Sequence, residues 1–254
     1  MPPLPKSAPI LVTGAGGFLG RHLVDVLRQE FSVTGFDVQN PQNDPNFIVG
    51  SVTDTEAIKK ALTGMSSLVI GHMAPRAPGI YDNPEIPFDI NVKATAHLME
   101  AAVAAGIRRV VLISSVSVVG RAHSAGEFLQ QALPPSPDTI YALTKSLQEQ
   151  IVRYYHQNNG IEAALLRPAY ISLGDTLEDK YGRRFPSVNW QFIDPRDIGA
   201  ATLASLRVEN LTCEAFHLVA GPGAEERADI AHTMERLHWQ PRYRFSEFPL
   251  DPPS

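Results

Sequence analysis

The chain reads Thr13-Gly14-Ala15-Gly16-Gly17-Phe18-Leu19-Gly20 between a short apolar run, Ile10–Thr13, and an amphipathic stretch. Gly14 permits a tight turn, Gly17 lets the backbone approach a pyrophosphate, and Gly20 allows a helix to pack closely on a strand. Backbone amides at the N terminus of that helix would then face phosphate groups. Glycines at this spacing, in the order strand, turn and helix, predict a dinucleotide-binding turn, with a purely structural turn as the alternative.

The rest of the chain repeats the alternation of strand and helix. Short β-branched apolar runs predict strands at Ile10–Thr13, Ser32–Asp37, Phe47–Ser51, Leu68–His72, Arg109–Ser114, Ala163–Arg167 and Ala215–Val219. Amphipathic stretches predict helices at Phe18–Gln29, Asp54–Leu62, Ile90–Ala105, Ile140–Gln157, Pro195–Ser205 and Glu225–Leu237. This alternation is typical of an α/β fold with a doubly wound parallel sheet, the Rossmann fold. We expect one domain over 1–254, with a small interleaved C-terminal substrate-binding portion at about 168–192 and 220–254.

Composition excludes several classes of protein. The chain has 254 residues, 44% of them hydrophobic, which suits a sizeable core and excludes disorder over most of its length. A net charge of −5 without a long basic run argues against binding nucleic acid. One cysteine, and histidines without ligand spacing, predict no metal site. Without an apolar stretch of about eighteen residues or a signal-peptide core, we expect a cytoplasmic protein that does not enter a membrane.

Asp37 ends the second predicted strand. A carboxylate at this point of the fold accepts hydrogen bonds from the adenosine ribose hydroxyls and repels a 2′-phosphate. The position therefore predicts NAD as the cofactor and makes NADP the less favoured one. The alternative is that Asp37 only solvates the end of a strand.

Tyr141 and Lys145 lie four residues apart and so share one face of a predicted helix. A free phenol has a pKa of about 10, and a neighbouring ammonium group favours the phenolate and lowers that value. Tyr141 could then exchange a proton with an alcohol, while Lys145 binds ribose hydroxyls. Ser114 and Ser115 follow a predicted parallel strand, where side chains point into the ligand crevice of this architecture. The alternatives are that Tyr141 and Lys145 are ordinary surface residues and that the two serines only cap the end of a strand.

Seven motifs in chain order resemble those of the extended short-chain dehydrogenase/reductase family, in its NAD-dependent epimerase/dehydratase branch. They are Thr13–Gly20, Asp37, His72-Met73-Ala74, Asn91-Val92-x-x-Thr95, Ser114-Ser115-x-x-Val118-x-Gly120, Tyr141-x-x-x-Lys145 and Leu166-Arg167-Pro168. The resemblance implies Ser115, Tyr141 and Lys145 as the catalytic set. It also implies a cofactor site at Gly14, Gly17, Phe18, Leu19, Gly20, Asp37, Val52, Ala74, Asn91, Ser114, Tyr141, Lys145 and Pro168. Family members commonly form a four-helix dimer interface, which implies a homodimer through Ile90–Ala105 and Ile140–Gln157.

The chain departs from the family pattern in places that bear on ligands. Ser51 stands where an aspartate often contacts the adenine amino group, and Asp54 is better placed to cap the next helix. Val119 replaces a common tyrosine. The Asn-His pair that uronate dehydrogenase carries after its catalytic serine is Val116-Ser117 here, which argues against uronate itself as the substrate.

These features predict an NAD-dependent oxidoreductase acting on a hydroxyl or carbonyl of a sugar, sugar acid or similar small polyol. Arg76, Arg183 and Arg184 are candidates for binding a substrate carboxylate or phosphate, with solvated surface charge as the alternative. A sugar-nucleotide epimerase or dehydratase that retains its NAD is a second interpretation, against which the short C-terminal portion counts. A non-catalytic dinucleotide sensor is a third, against which the Tyr141–Lys145 pair counts.

Overall fold

The computed structural model describes residues 2–75, 81 and 83–251. Its strands are β1 (Pro9–Thr13), β2 (Ser32–Asp37), β3 (Phe47–Val49), β4 (Ser67–Ile70), β5 (Arg109–Ile113), β6 (Glu162–Pro168), β7 (Tyr170–Ile171), β8 (Phe192–Ile193) and β9 (Cys213–Leu218). Its helices are α1 (Phe18–Leu27), α2 (Thr55–Leu62), α3 (Glu85–Pro87), α4 (Ala94–Ala104), α5 (Gly120–Ser124), α6 (Ile140–Asn159), α7 (Pro195–Arg207) and α8 (Ile230–Leu237). A π-helical stretch, Phe88–Lys93, connects α3 to α4. Over the described residues, no helix is long and apolar enough to cross a membrane.

Seven of the strands form one parallel sheet in the order β3-β2-β1-β4-β5-β6-β9. The direction in which the chain adds strands reverses between β1 and β4, and ligands bind outside the carboxyl ends of the strands at such a point. The glycine turn follows β1, and Ser114 and Ser115 follow β5, so both features lie along this edge of the sheet. The expected doubly wound parallel sheet is confirmed.

Helices cover both faces of the sheet. Ile10 and Val12 of β1 pack in one core cluster with side chains of α1 and α7. Leu11, between them, points to the opposite face and packs with side chains of α2, α4 and α6. Strands β4 and β5 are buried along their whole length. A sheet covered on both faces requires continuous apolar runs, which is why these strands stand out in the sequence.

Capping side chains fix where two of the helices begin. Asp54 caps α2, as expected, by accepting hydrogen bonds from two first-turn amides. Thr139 caps α6 by accepting a hydrogen bond from the Ala142 amide at 3.1 Å. The cap at Thr139 therefore sets the start of the helix that carries Tyr141 and Lys145.

The structure differs from the sequence-based expectation mainly at the ends of elements. The helix expected at Ile90–Ala105 starts earlier, because α3 and the π-helical stretch precede α4. The helix expected at Glu225–Leu237 is too long: Asp229 caps α8, and Ala224–Glu226 form a separate 3-10 turn. The small parallel sheet of β7 with β8 was not expected. Strands of two residues are too short to leave a periodic signal.

Residues 170–193, from β7 to β8, are called the covering segment below. The C-terminal end of the chain pairs with it: the Val188 amide donates to Pro249 O, and the Asp251 amide donates to Val188 O, both at 2.8 Å. The Asp251 carboxylate also accepts a hydrogen bond from Asn189 Nδ2 at 2.7 Å. The covering segment is thus held by residues that lie far from it in the sequence.

Candidate active site

A cleft of about 480 Å³ lies at the carboxyl edge of the sheet. Most of the expected site residues line it: Gly14, Gly17, Phe18, Leu19, Gly20, Asp37, Val52, Ser114, Ser115, Tyr141, Lys145, Pro168 and Arg183. Asp37 ends β2 and Ser114 follows β5, and two strands lie between them. Neighbouring strands are about 4.8 Å apart, so the two residues are separated by roughly 14 Å across the sheet. The cleft is therefore elongated along the edge of the sheet.

The three motif glycines occupy different surroundings in the turn. Gly14 has a positive φ of 74°, which disfavours any side chain. A Cβ on Gly20 would lie 1.9 Å from the Gly14 carbonyl oxygen, so α1 can approach β1 only because this residue is glycine. A Cβ on Gly17 would meet only that same oxygen, at an ordinary 3.4 Å, and Gly17 lines the cleft. Gly14 is thus required by its backbone conformation and Gly20 by packing, whereas Gly17 is not required by either and lines the cleft without a side chain.

Helix α1 begins at this turn with its amides toward the cleft. Its N-cap is Gly17, and among the described residues no side chain caps it. Uncapped amides at a helix N terminus form a site for an anion, since they supply hydrogen-bond donors and a partial positive charge. The turn therefore fits the pyrophosphate of a dinucleotide.

Asp37 lies partly buried at the end of β2. Its Oδ2 accepts a hydrogen bond from the Gly16 amide at 3.0 Å, and its Oδ1 accepts one from the Val38 amide at 2.7 Å. These bonds orient the carboxylate, and each oxygen keeps a further acceptor site. A carboxylate held in this way fits a pair of ribose hydroxyls.

Ser114 and Ser115 are adjacent but differ in their hydrogen bonding. Ser114 Oγ donates to Oε1 of the buried Glu149 at 2.6 Å. Ser115 Oγ instead accepts two hydrogen bonds from Ser117, one from the amide at 3.2 Å and one from Oγ at 2.8 Å. With its acceptor sites used, the Ser115 hydroxyl is left as a hydrogen-bond donor. Of the two, Ser115 is the one equipped to donate to a substrate oxygen.

Lys145 is buried beside these serines. Its Nζ donates a hydrogen bond to Ile113 O, at the end of β5, at 2.9 Å. Tyr141 lies one helical turn before it, in the first turn of α6, and its ring centroid is 6.1 Å from that of Tyr81. The phenol, the ammonium group and Ser115 all line the cleft, as a proton-transfer site would require.

Two of the expected cofactor residues lie behind the cleft wall. Ala74 and Asn91 are fully buried, and Asn91 Oδ1 accepts a hydrogen bond from the Ala74 amide at 2.7 Å. Asn91 Nδ2 donates to Thr144 Oγ1 at 3.0 Å. Asn91 therefore connects the loop after β4 to α6, which places it as a support for the cleft rather than as part of its surface.

His72 lines the same cleft and is buried. Its Nδ1 lies 3.0 Å from Thr13 Oγ1, and its Nε2 lies 3.0 Å from Ile90 O. Burial, together with the nearby Lys145 ammonium, lowers the pKa of His72 to about 3. The imidazole is therefore neutral and connects β1, β4 and the π-helical stretch.

The three candidate arginines have different surroundings. Arg183 lines the cleft, and its Nη2 and Nε both donate to Asp179 Oδ2, at 2.6 and 2.8 Å. Arg184 is 71% exposed, pairs with Glu178 and does not line the cleft. Arg76 lies outside the described residues. Of Arg183 and Arg184, only Arg183 is placed to meet a ligand in the cleft.

The covering segment supplies further residues to the cleft that were not expected. They are Tyr170, Ile171, Asp179, Lys180 and Tyr181. The available signal was a long loop with aromatic side chains next to Arg183, which is typical of a ligand-binding loop. Within the described residues, no group of three or more histidine, cysteine, aspartate or glutamate side chains could hold a metal ion.

Comparison with known proteins agrees with this geometry. Residues 10–188 match the sequence model of the NAD dependent epimerase/dehydratase family. L-arabinose 1-dehydrogenase (NAD(P)(+)) of Haloferax volcanii is 28% identical over 186 residues, which is 68% of this chain and 71% of that protein. Matches to longer relatives named as epimerases span only 39–48% of those proteins.

Solved structures share the fold along most of the chain. One is a short-chain dehydrogenase/reductase superfamily protein from Agrobacterium tumefaciens with bound NAD. It superimposes with a TM-score of 0.77 at 22% identity, and the match covers 94% of this chain and 95% of that protein's chain. UDP-glucuronic acid 4-epimerase from Bacillus cereus, in complex with NAD, gives a TM-score of 0.77 at 20% identity with the same coverage. The chain belongs to the NAD-dependent epimerase/dehydratase family. Its members are NAD-dependent dehydrogenases and epimerases, which agrees with the expected cofactor.

Proposed function

We propose that this chain is an NAD-dependent oxidoreductase acting on a hydroxyl or carbonyl group of a sugar, sugar acid or similar small polyol. The proposal rests on one observation above all: the glycine turn and the set Ser115, Tyr141 and Lys145 line a single cleft. The name of the arabinose dehydrogenase relative supports the class of substrate. We further propose that residues 168–192 and the described residues 220–251 form the substrate side of one continuous domain; the rest of the expected range, 252–254, lies outside the described residues.

The glycine turn and Asp37 hold the cofactor. The amides of Phe18 and Leu19 bind the pyrophosphate at the N terminus of α1, next to Gly17. Asp37 accepts hydrogen bonds from the adenosine ribose, which favours NAD over NADP because a carboxylate repels a 2′-phosphate. When bound, NAD accepts or supplies a hydride at the nicotinamide ring.

Ser115 positions the reacting oxygen of the substrate. Its acceptor sites are used by Ser117, so its hydroxyl hydrogen is directed to an oxygen in the cleft. A neutral donor of this kind stabilises negative charge that develops on a carbonyl or alkoxide oxygen. The same contact fixes the distance from that oxygen to the tyrosine.

Tyr141 exchanges the proton. In the direction of oxidation, the phenolate takes the proton of the substrate hydroxyl while the adjacent carbon loses hydride; in reduction, the phenol returns that proton. Lys145 stabilises the phenolate by its charge and is held by the bond from Nζ to Ile113 O. Lys145 also donates to the ribose hydroxyls of the cofactor.

A retained-cofactor epimerase or dehydratase is the second candidate. Solved epimerase structures of the family are matched over 94–95% of their length, so the short C-terminal portion does not separate the two activities. The two functions differ in one observable. An oxidoreductase releases NADH in proportion to the substrate converted, whereas an epimerase retains NAD and returns it unchanged.

The experiment is a panel of sugars, sugar acids and small alcohols, assayed for NADH release after bound cofactor has been analysed. We expect one class of substrate to give net NADH. Tyr141→Phe should lower turnover by about 10²–10⁴-fold, the usual contribution of general acid–base catalysis, while NADH affinity stays near that of the unmodified protein. Product formation without net NADH release would support the epimerase instead.

A matched control is Tyr155→Phe, on the same helix. Tyr155 OH donates to Glu100 Oε2 at the surface, and Tyr155 does not line the cleft. Its loss should leave turnover unchanged. Equal turnover in Tyr141→Phe and Tyr155→Phe would show that Tyr141 takes no part in proton transfer.

We also propose a homodimer in which α4 and α6 of two copies form a four-helix interface, and a cytoplasmic location. Leu143 and Tyr154 on α6 are apolar or aromatic and exposed, which supports a partner on this helix. Sedimentation analysis of Tyr154→Glu against the unmodified protein tests the dimer, since a charge there would separate the copies.

A further inference from the structure

A second cavity, of about 410 Å³, shares none of its lining residues with the cleft over the described part of the chain. It is bounded by residues 131–135, by α6, by the edge strand β9 and by α8. Two arginines line it, Arg153 from α6 and Arg167 from β6. Its volume is in the range of sites for small molecules.

Arg167, which lines this cavity, has one hydrogen-bond donor without a partner in the part of the chain that the structure describes. The residue is 1% exposed, and its Nε and Nη2 donate to the two oxygens of Glu149 at 2.8 and 2.7 Å. Its Nη1 has no hydrogen-bond partner among the described residues. A buried guanidinium N–H without an acceptor costs free energy. Nη1 is itself buried, so a ligand oxygen reaches it only when the Arg167 side chain shifts toward the cavity.

The charges around the cavity favour an anion. Arg153 donates through Nη1 to Cys213 O at 3.3 Å, and its Nη2 lies 3.9 Å from Glu149. Glu149 is already bound to Arg167 through both oxygens, and the remaining carboxylate at the cavity, Glu214, is bound to Arg236. One positive charge is therefore left in excess. Arginines present planar pairs of donors that suit carboxylate and phosphate oxygens.

The same arginine connects this cavity to the cleft. Glu149 Oε1, which Arg167 binds, also accepts the hydrogen bond from Ser114, and Ser114 lines the cleft. Pro168, the residue after Arg167, lines the cleft as well. A ligand oxygen bound to Nη1 would therefore contact Arg167, and Glu149, the partner of Arg167, also binds Ser114 in the cleft wall.

We propose that this cavity is a second binding site, for a small molecule bearing a carboxylate or a phosphate, and that its occupancy changes the affinity of the cleft for NADH. Arg153, whose side chain is one third exposed, supplies the first donors, and Arg167 Nη1 supplies another once its side chain has shifted. Coupling between two binding sites is reciprocal, so bound NADH changes the affinity for the anion by the same factor.

Cys213 offers a direct readout of occupancy. It is the one cysteine of the sequence and lines this cavity but not the cleft. Burial raises the pKa of the thiol to about 11, so alkylation is slow and its rate can be followed by mass spectrometry. Iodoacetamide is uncharged and does not itself compete for the arginines.

The experiment measures alkylation of Cys213 in the full chain with inorganic phosphate or succinate, against chloride at equal ionic strength. We expect at least one of the two anions to slow alkylation saturably, both without NADH and with NADH at saturation. Arg153→Gln should weaken that protection by about tenfold, the effect of losing one charge-assisted hydrogen bond. Arg108→Gln, a surface arginine that donates to Gly160 O, serves as the control and should leave it unchanged.

Three results would overturn the site: no slowing by either anion, equal protection in Arg153→Gln and the control, or complete loss of protection at saturating NADH. The last would show that the anion binds at the glycine turn. An NADH dissociation constant that is the same with and without saturating anion would overturn the coupling. A chain that binds no NADH yet shows Arg153-dependent protection would contradict the proposed function and leave the site standing.

Discussion

Gly20, in the turn after β1, and Gly221, where the C-terminal part of the chain meets the covering segment, have equally little room. A Cβ on Gly20 would lie 1.9 Å from Gly14 O, and a Cβ on Gly221 would lie 1.9 Å from Asn189 O. The first close approach occurs inside one short motif, whereas the second joins segments distant in sequence. The same steric requirement is readable from the sequence in one region and only from the tertiary structure in the other.

The largest effects are expected from filling these two positions. Gly20→Ala and Gly221→Ala should each lower the free energy of unfolding by about 3 kcal/mol, because backbone atoms must move to admit the methyl group. Gly20→Ala should also abolish NADH binding, since it displaces the turn that lines the cleft. Urea unfolding and NADH titration of both variants measure the two effects.

Gly17→Ala is the matched control within the turn. Gly17 has an ordinary φ of −75°, and its added Cβ would meet Gly14 O at 3.4 Å. Stability should therefore change little, while NADH affinity falls because the methyl group enters the cleft. If Gly17→Ala and Gly20→Ala proved equally destabilising, the distinction between packing glycines and ligand glycines in this turn would be wrong.

Asp37→Asn tests the nucleotide half of the cleft next. Removing the charge weakens the hydrogen bonds to the ribose hydroxyls and removes the repulsion of a 2′-phosphate, so NADH affinity should fall by about tenfold and NADPH affinity should rise. The ratio of the two dissociation constants, measured by fluorescence titration, is the quantity to follow. A variant with an unchanged ratio would mean that Asp37 only orders the turn through Gly16.

The two regions also differ in how much of them could be predicted. The strands around the cleft are continuous apolar runs, and the turn after β1 has a local steric logic, so the sheet and the positions of Asp37, Tyr141 and Lys145 follow from short-range patterns. The order of strands then brings residues from β1, β2 and β5 to one edge. This part of the site could be predicted because the fold fixes the register of its motifs.

The covering segment could not be predicted in the same way. Its strands are two residues long, and its backbone pairs with the C-terminal residues through Val188 and Pro249. The hydrogen bond from Ser117 to Ser115 and the unused donor of Arg167 likewise depend on side-chain placement in three dimensions. Such contacts leave no periodic trace in a single sequence.

Asp251→Ala tests how far the covering segment depends on the C-terminal residues. It removes the hydrogen bonds that the carboxylate accepts from Ser187 Oγ and Asn189 Nδ2, and we expect a local loss of about 1–2 kcal/mol. Hydrogen exchange of the Val188 amide should become faster, while exchange of the Val12 amide in β1 stays the same. Equal acceleration at both amides would mean that the two regions unfold as one unit.

The smallest effect concerns the pH dependence of stability, and it compares two buried histidines, one beside the cleft and one on the edge strand β9. Burial lowers the pKa of His72 to about 3 and that of His217, on β9, to about 4. Between these values and the ordinary pKa of about 6.5, the unfolded chain binds protons that the folded chain does not, so stability falls as the pH drops below 6.5. Each histidine should account for about 1 kcal/mol of the loss between pH 7 and pH 5.5.

Urea unfolding of His72→Gln and His217→Gln at both pH values measures this loss of stability. In each variant the pH dependence of stability should decrease, whatever the substitution does to the stability at pH 7. An unchanged pH dependence in His72→Gln would show that folding does not lower the pKa of this imidazole.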